Sequence, residues 1–480
     1  MRTFDSLQLN ILQTLPKPPQ ALIREMLEKE LATLGRKIVV LDDDPTGIQT
    51  VHGVSVYTDW EPQTMEAGFA EDNSMFFVLT NSRGFTVEQT EAAHREIAKN
   101  IAAAAKKTGK DFIVISRGDS TLRGHYPLET DILRQVLEQE TGKHYDGEII
   151  YPFFKEGGRF TLHGIHYVKD GDALIPAGQT EFAKDKSFAY HASHLADWCE
   201  EKTHGQCRAQ DVTVIDIAQL RTFCVEEMQQ ALEKVHDFGK VVVDGADYCD
   251  VESFAVAFIR AVKAGKEFIF RSAAAVTKVL GGVADQPLLT RAQLVDADNY
   301  HGGIVLVGSH VNKTTRQMEQ LHQTHCPIEF LEFNQHLVLQ EGGLQREVAR
   351  VVALAEEKIR AGHTVAVYTR RDRFDLPTDD PDAQLRVSVE ISDAVTSIIG
   401  KLQVRPSFII AKGGITSSDV GTKALRVKKA MVMGQIQPGV PVWMTGEESK
   451  FPHMPYVIFP GNVGEDDTLR KAVEILMAKE

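Results

Sequence analysis

The chain has 480 residues, 43% of them hydrophobic and 25% charged, which fits two large folded domains with real cores and excludes a disordered chain. Its apolar runs are short and none approaches the roughly 20 residues of a membrane span, while a formal net charge of −14 excludes bulk attraction to nucleic acid or acidic lipid. Five cysteines without a CxxC pair fit a reducing, cytoplasmic setting rather than a disulfide framework.

Residues 1–36 read as an amphipathic helical lead-in. MRTFDSLQLNILQTLPKPPQ lacks the basic start and apolar stretch of a secretory leader. KIVVLDDD (37–44), MFFVLTNSR (75–83), DFIVISRGDS (111–120) and GEIIYPFF (147–154) are apolar runs that end in polar residues, with helical stretches between them. That alternation predicts an α/β layer on a largely parallel sheet. In such sheets ligands sit at the C-terminal strand ends. Residues 155–210 are rich in Gly, His and charge and read as loops, hairpins or a flap. Strands resume at 212–217, 240–245 and 268–275, with helices at 218–238 and 251–264. A loop-like stretch, 281–303, marks the boundary. A second series of strands follows at 303–309, 328–333, 364–369, 407–414, 440–444 and 456–462, with helices at 311–324, 341–360 and 389–401. The expected organisation is a lead-in (1–36), one α/β domain (37–290) and a second (291–480), with a cleft between the two α/β domains.

Five motifs carry chemistry. In LDDDPTGIQT, Asp42, Asp43 and Asp44 cannot all face one way, because side chains alternate along a strand; one or two would point at a ligand, unless the motif is only a solvated acidic turn. SRGDSTLRGHYPLE (116–129) offers Arg117 and Arg123 as forks for a carboxylate or phosphate, and Asp119 as a proton acceptor. Ser120 and Thr121 add hydroxyls; the plainer reading is a loop held by an Arg–Asp ion pair. TNSR adds Asn81, Ser82 and Arg83 to the same polar pocket. AKGGITSSD places Gly413, Gly414, Thr416 and Ser417 where a strand feeds a helix, so backbone N–H groups would cradle phosphate. It is not a Walker A sequence. GSHVNKTTRQ (308–317), with Ser309, and FPGNVGEDDTL (459–469), with Gly461 and Gly464, are further candidates for a nucleotide, or simple caps and turns. His163 and His166 lie close to the polar module. His191, His194, Cys199, His204 and Cys207 are spaced too loosely for the usual zinc pairs.

LDDDPTG together with SRGDSTLRG resembles the four-carbon acid sugar kinase family, an α/β family not built on the P-loop; the resemblance covers residues 37–475. It implies ATP and a divalent metal, Mg2+, and phosphorylation of the terminal hydroxyl of a small sugar acid such as threonate, erythronate or 3-oxo-tetronate. It places Asp43, Asp44, Thr46, Arg83, Asp119, Ser120 and Arg123 in an acid-sugar half. Lys412, Gly413, Gly414, Thr416, Gly461 and Gly464 fall in a nucleotide half. The family commonly carries Lys where this chain has Arg117, and a Lys within the C-terminal glycine stretch where this chain has none.

The expected mechanism has Arg83 or Arg123 clamp the substrate carboxylate. Asp119, or one of Asp43 and Asp44, deprotonates the hydroxyl, and Thr46, Asn81, Arg117, Ser120 and His163 line the substrate. The metal ligands are left open. Expected partners are a sugar acid and ATP, with no nucleic acid and no membrane, and a homodimer as an open option. Two other classes stand beside the kinase: a sugar-acid-binding protein without turnover, and a metal-dependent phosphatase or aldolase. Consumption of ATP only when a sugar acid is present separates them.

Overall fold

In a computed structural model, which describes residues 2–372, 374, 376, 381–461 and 463–478, the chain divides into two compact units. The first is Met1–Val51 with Asp59–Asp285, and the second is His52–Thr58 with Gln286–Glu480.

The first unit is built on a parallel sheet. Its strand order is Thr213–Ile215, Gly239–Val243, Gly147–Tyr151, Phe268–Ser272, Asp111–Arg117, Arg36–Asp42 and Met75–Leu79. These strands are near-continuous apolar runs because helices cover both faces of such a sheet; Ile38, Val39 and Val40 are each 0% exposed. The following segments take the helices, among them Val87–Thr108, opened by a Thr86–Gln89 capping box and closed by Gly109 in the left-handed region. The stretch expected as one helix over 218–238 is two, Ile217–Thr222 and Val225–Glu233, because Phe223 turns left-handed between them.

The irregular 155–210 region contains an antiparallel meander, Arg159–Leu162, Ile165–Asp170 and Ala173–Pro176, edged by Leu7–Gln8. The lead-in is thus part of this unit. Its helix Gln20–Leu31 buries Ile23 and Leu27, and Glu30 is paired with Arg260 and Lys263.

The second unit has a mixed sheet. Ile328–Phe333, Thr364–Thr369, Ile304–Val307, Ile409–Lys412 and Pro455–Phe459 run parallel in that order. Val440–Thr445, Lys429–Gln437 and Ser55–Tyr57 extend it antiparallel. Two of these strands were not expected. Lys429–Gln437 follows an alternating pattern, with every second residue buried, interrupted by irregular register at Gly434. Ser55–Tyr57 is drawn from the first half of the sequence by backbone pairing with Lys429–Met431, so 37–290 does not remain in one unit.

Candidate functional site

Register gathers the acid-rich motifs of the first unit. Asp42 lies opposite Arg117 and Leu79, and Arg117 opposite Ser272. LDDD, SRGDS, LTNSR and FRS therefore leave the sheet side by side at its C-terminal edge, the usual ligand face.

Three carboxylates meet two guanidiniums there. Arg83 reaches Asp43 from Nε at 3.0 Å and from a terminal nitrogen at 2.5 Å, and reaches Asp44 at 2.5 Å. Arg117 lies 3.0 Å from Asp42 and 3.4 Å from both Asp43 and Asp44. Thr46 bonds Asp44 through its N–H at 2.7 Å and through its hydroxyl. Gly47 lets the turn close on Asp42, since a Cβ there would stand 2.2 Å from both carboxylate oxygens. Burial pushes Asp42 up to about 8 and raises Asp43. Burial also works on Asp44, but Arg83 and Arg117 outweigh it and hold this carboxyl below its ordinary value. Asp42 then keeps a proton at neutral pH, which balances the cluster. Arg117, with its side chain 4% exposed, lies beneath the acids and pairs with all three of them.

Asp42, Asp43 and Asp44 can bring one ligand oxygen each within 4.8 Å of one another, the sole such group among the described residues. The donors suit magnesium, but Arg83 and Arg117 already occupy their charge, so they do not fit a resident cation. His191, His194, Cys199, His204 and Cys207 form no such group among the described residues.

Asp119 accepts from Arg123 Nε at 2.6 Å and from the Thr121 hydroxyl. Burial raises its pKa, but Arg83, Arg123 and these hydrogen bonds overcome that and hold Asp119 far below the usual carboxylate range. A carboxylate so depressed is a weak base, which counts against Asp119 as the proton acceptor. Three remote side chains fix its loop by its carbonyls: His166 Nε2 donates to Ser120 at 2.7 Å, the Tyr190 hydroxyl to Thr121 at 2.7 Å, and Arg271 to Arg123 at 2.9 Å. Gly118 packs on Arg271, whose guanidinium would lie 2.4 Å from a Cβ there. Burial lowers the His166 pKa to about 4, so it donates as a neutral ring.

Tyr190 and Arg271 were missed from sequence. The one available signal was the Arg inside an otherwise apolar strand, FIFRS. Ser82 is buried and donates to Glu129 at 2.6 Å, and Asn81 holds a left-handed turn before it. His163 stands exposed at the meander's first turn. Its backbone N–H donates to Asp244 at 2.7 Å, and no hydrogen bond joins its side chain to the acid cluster among the described residues.

The second unit repeats the strand-exit logic. Val307 lies opposite Lys412 and Lys412 opposite Phe459, so Gly308–Ser309, Gly413–Gly414 and Pro460–Gly461 are neighbours. Gly413 has φ +126°, and Gly308 packs so closely that a Cβ would lie 2.3 Å from Thr416 Oγ1. Gly414 opens the helical turn Gly414–Asp419 and faces open space, with nothing within 4 Å of a Cβ.

Lys412 is fully buried. It donates to the carbonyls of Pro460 at 2.5 Å and Gly461 at 3.2 Å and lies over the Phe459 ring at 4.2 Å. Burial, then Lys313, lowers its pKa to about 7. Helix Asn312–Leu321 supports the same loop: Lys313 donates to Gly464 at 2.9 Å, Thr314 to Gly461 at 3.3 Å, and Gln317 to Val463 and Glu465 at 3.1 and 2.9 Å. GSHVNKTTRQ and FPGNVG therefore form one structure, and two lysines from elsewhere reach the glycine loop that has none of its own. Asn462 lies outside the described residues. Ser309 accepts from Thr314 through its hydroxyl at 3.2 Å and from Arg371 through its carbonyl at 2.7 Å. Gly464 turns the chain at φ +81° against Thr468.

Residues 38–280 match the family described as the sugar-binding N-terminal domain, and residues 304–469 the nucleotide-binding C-terminal domain. Among solved structures the chain is similar to a Haemophilus influenzae protein of the DUF1537 family, at 18% identity and TM-score 0.58, covering 91% of this chain and 100% of that one. It is also similar to a Salmonella typhimurium LT2 protein provisionally named a tRNA synthase, at 17% identity and TM-score 0.61, covering 91% of this chain and 98% of that one. At such identity the likeness speaks for the fold alone. No protein of curated function matches the chain.

Proposed function

Because this chain belongs to the four-carbon acid sugar kinase (DUF1537) family, with a sugar-binding N-terminal and a nucleotide-binding C-terminal domain, we propose that it transfers the γ-phosphoryl group of ATP to the terminal hydroxyl of a small sugar acid. The observation that carries this reading is the pairing of two chemistries on one chain. One unit presents carboxylates and guanidiniums at its strand exits; the other presents a glycine cradle beside two lysines whose contacts are backbone carbonyls.

In the first unit, Asp44, Thr46, Asn81 and Ser120 bind hydroxyls, and a guanidinium answers the carboxylate. Asp43, whose carboxyl burial raises, accepts the proton of the attacking hydroxyl, because Asp44 and Asp119 are both held below their ordinary values and are weaker bases. General base assistance of this kind contributes on the order of 10² to 10⁴ in rate. In the second unit, the N–H groups after Gly413 and Gly414 and the Thr416 hydroxyl bind phosphates, and Lys412 and Lys313 hold the Gly461–Gly464 loop against them. Magnesium arrives with ATP as part of the substrate and neutralises its phosphates. Positioning and charge stabilisation then account for most of the catalysis.

The test is purified protein with MgATP against four-, five- and six-carbon sugar acids. ADP should appear only with an acid present. Binding without turnover would leave a sugar-acid-binding protein, and phosphate release from a phosphorylated acid without ATP would leave a phosphatase.

A further inference from the structure

We propose that Arg159, rather than Arg83 or Arg123, takes the carboxylate of the sugar acid. This assignment rests on the sugar-acid reading and deepens it. Arg159 begins the first strand of the meander, Arg159–Leu162. Its guanidinium carbon lies 5.6 Å from the centre of the Phe182 ring, and that of Arg123 lies 5.2 Å from the same centre. Both guanidiniums thus stand at one ring beside the Asp119 loop.

The other arginines around the acid cluster and the Asp119 loop already have partners. Arg83 is paired with Asp43 and Asp44, Arg117 with all three acids, and Arg123 with Asp119 and, at 3.6 Å, Asp185. Arg271 is turned to the carbonyls of Ser272 and Arg123. Arg159 has no carboxylate partner among the described residues. One terminal nitrogen donates to the Gly157 carbonyl, and its Nε is buried without a hydrogen-bond partner. Burial depresses its guanidinium; Asp119 pulls the other way and Arg123 adds to the depression. A ring face attracts a cation but does not neutralise it.

A cation held partly out of water with donors unmet is unfavourable unless an anion completes it. A planar carboxylate is the anion that matches a guanidinium fork. Polyhydroxy acids supply that group at one end and their reacting primary hydroxyl at the other. The rival role for Arg159 is a strut that only secures the Gly157 turn.

The experiment is titration calorimetry without nucleotide, on wild type, Arg159→Gln and Arg159→Lys, using threonate and erythronate and their neutral counterparts threitol and erythritol. Melting temperatures are recorded alongside. Wild type should prefer the acids. Arg159→Gln should weaken them roughly 10- to 100-fold, the scale of a charged hydrogen-bond pair, while the alditols stay within about twofold. Arg159→Lys should retain part of the preference. The proposal is overturned if Arg159→Gln binds acids as wild type does, if acids and alditols weaken together with a falling melting temperature, or if wild type shows no preference for acids. If the preference depends on Arg159 but wild type never consumes ATP, the assignment stands and the kinase reading falls. If wild type phosphorylates an acid and Arg159→Gln keeps its KM, the kinase reading stands and the assignment falls.

Discussion

Arg123 donates from Nε to Asp119 across 2.6 Å. The pair sits on one tight loop, four residues apart, and each partner sets the other's role. Despite burial, Arg83 and Arg123 keep Asp119 ionised far below the usual carboxylate range. Stability that Asp119 contributes is therefore present above its unfolded value of about 3.9 and lost only in strong acid.

The first prediction follows from that pair. Asp119→Asn should raise the sugar-acid KM about 10-fold by loosening the loop that carries Ser120, since Asp119 ties Thr121 and Arg123 together there, and should change kcat by less than about 5-fold. Asp43→Asn should instead lower kcat by roughly 10² to 10⁴, as loss of a general base does, while Asp44→Asn should act mainly on KM. Steady-state kinetics on the three variants decides. A 10²-fold drop in kcat with unchanged KM for Asp119→Asn would return the proton-acceptor role to Asp119.

Asp42 should impose a pH dependence on stability. Burial raises its pKa to about 8 in the folded protein, against about 3.9 unfolded. Between those values the native state binds a proton that the unfolded chain does not, so this group's contribution falls as pH rises from about 4 to 8. Asp42→Asn resembles the protonated form and escapes the penalty. Its melting temperature should match wild type near pH 4 and exceed it by pH 9, by the equivalent of roughly 1–3 kcal/mol. Parallel pH profiles of the two proteins would contradict a proton held on Asp42 in the folded state.

Gly414 offers a substitution with space to spare, since a Cβ there meets nothing within 4 Å. Gly414→Asp should leave the melting temperature within about 2 °C while abolishing ATP binding, because a carboxylate would stand where phosphate binds. Gly414→Ala should retain most of the affinity. Calorimetry with ATP reads both, and undiminished affinity in Gly414→Asp would remove the phosphates from this turn.

Lys412 should make ATP binding take up protons. Burial lowers its pKa to about 7, so near pH 7.5 much of it is neutral, and an adjacent phosphate would restore the charge. Calorimetry in two buffers of different ionisation enthalpy measures the uptake, which Lys412→Met should reduce or abolish. Equal uptake in the variant would place the phosphates beyond its reach.

Much of the fold was legible along the chain. The runs at 328–333 and 364–369 became strands Ile328–Phe333 and Thr364–Thr369, because a strand buried on both faces is written as an unbroken apolar run. Polar strand exits marked where the acids and glycines would lie, since parallel register alone brings neighbouring exits together. Lys429–Gln437 was harder to read, because its pairing register shifts around Gly434 and its neighbour Ser55–Tyr57 lies far away in sequence.

By itself, then, the sequence determined which residue types stand at the strand ends, because hydrophobic periodicity is local and covalent order sets it. Only the tertiary structure decided what each residue does there. Arg117 is a counter-charge because the sheet sets it beneath three carboxylates. Lys412 holds carbonyls because the Pro460–Gly461 exit lies beside it. Arg159, 36 residues from Arg123 in the sequence, shares Phe182 with it. Charge and desolvation depend on distances through space, and no spacing along the chain encodes them.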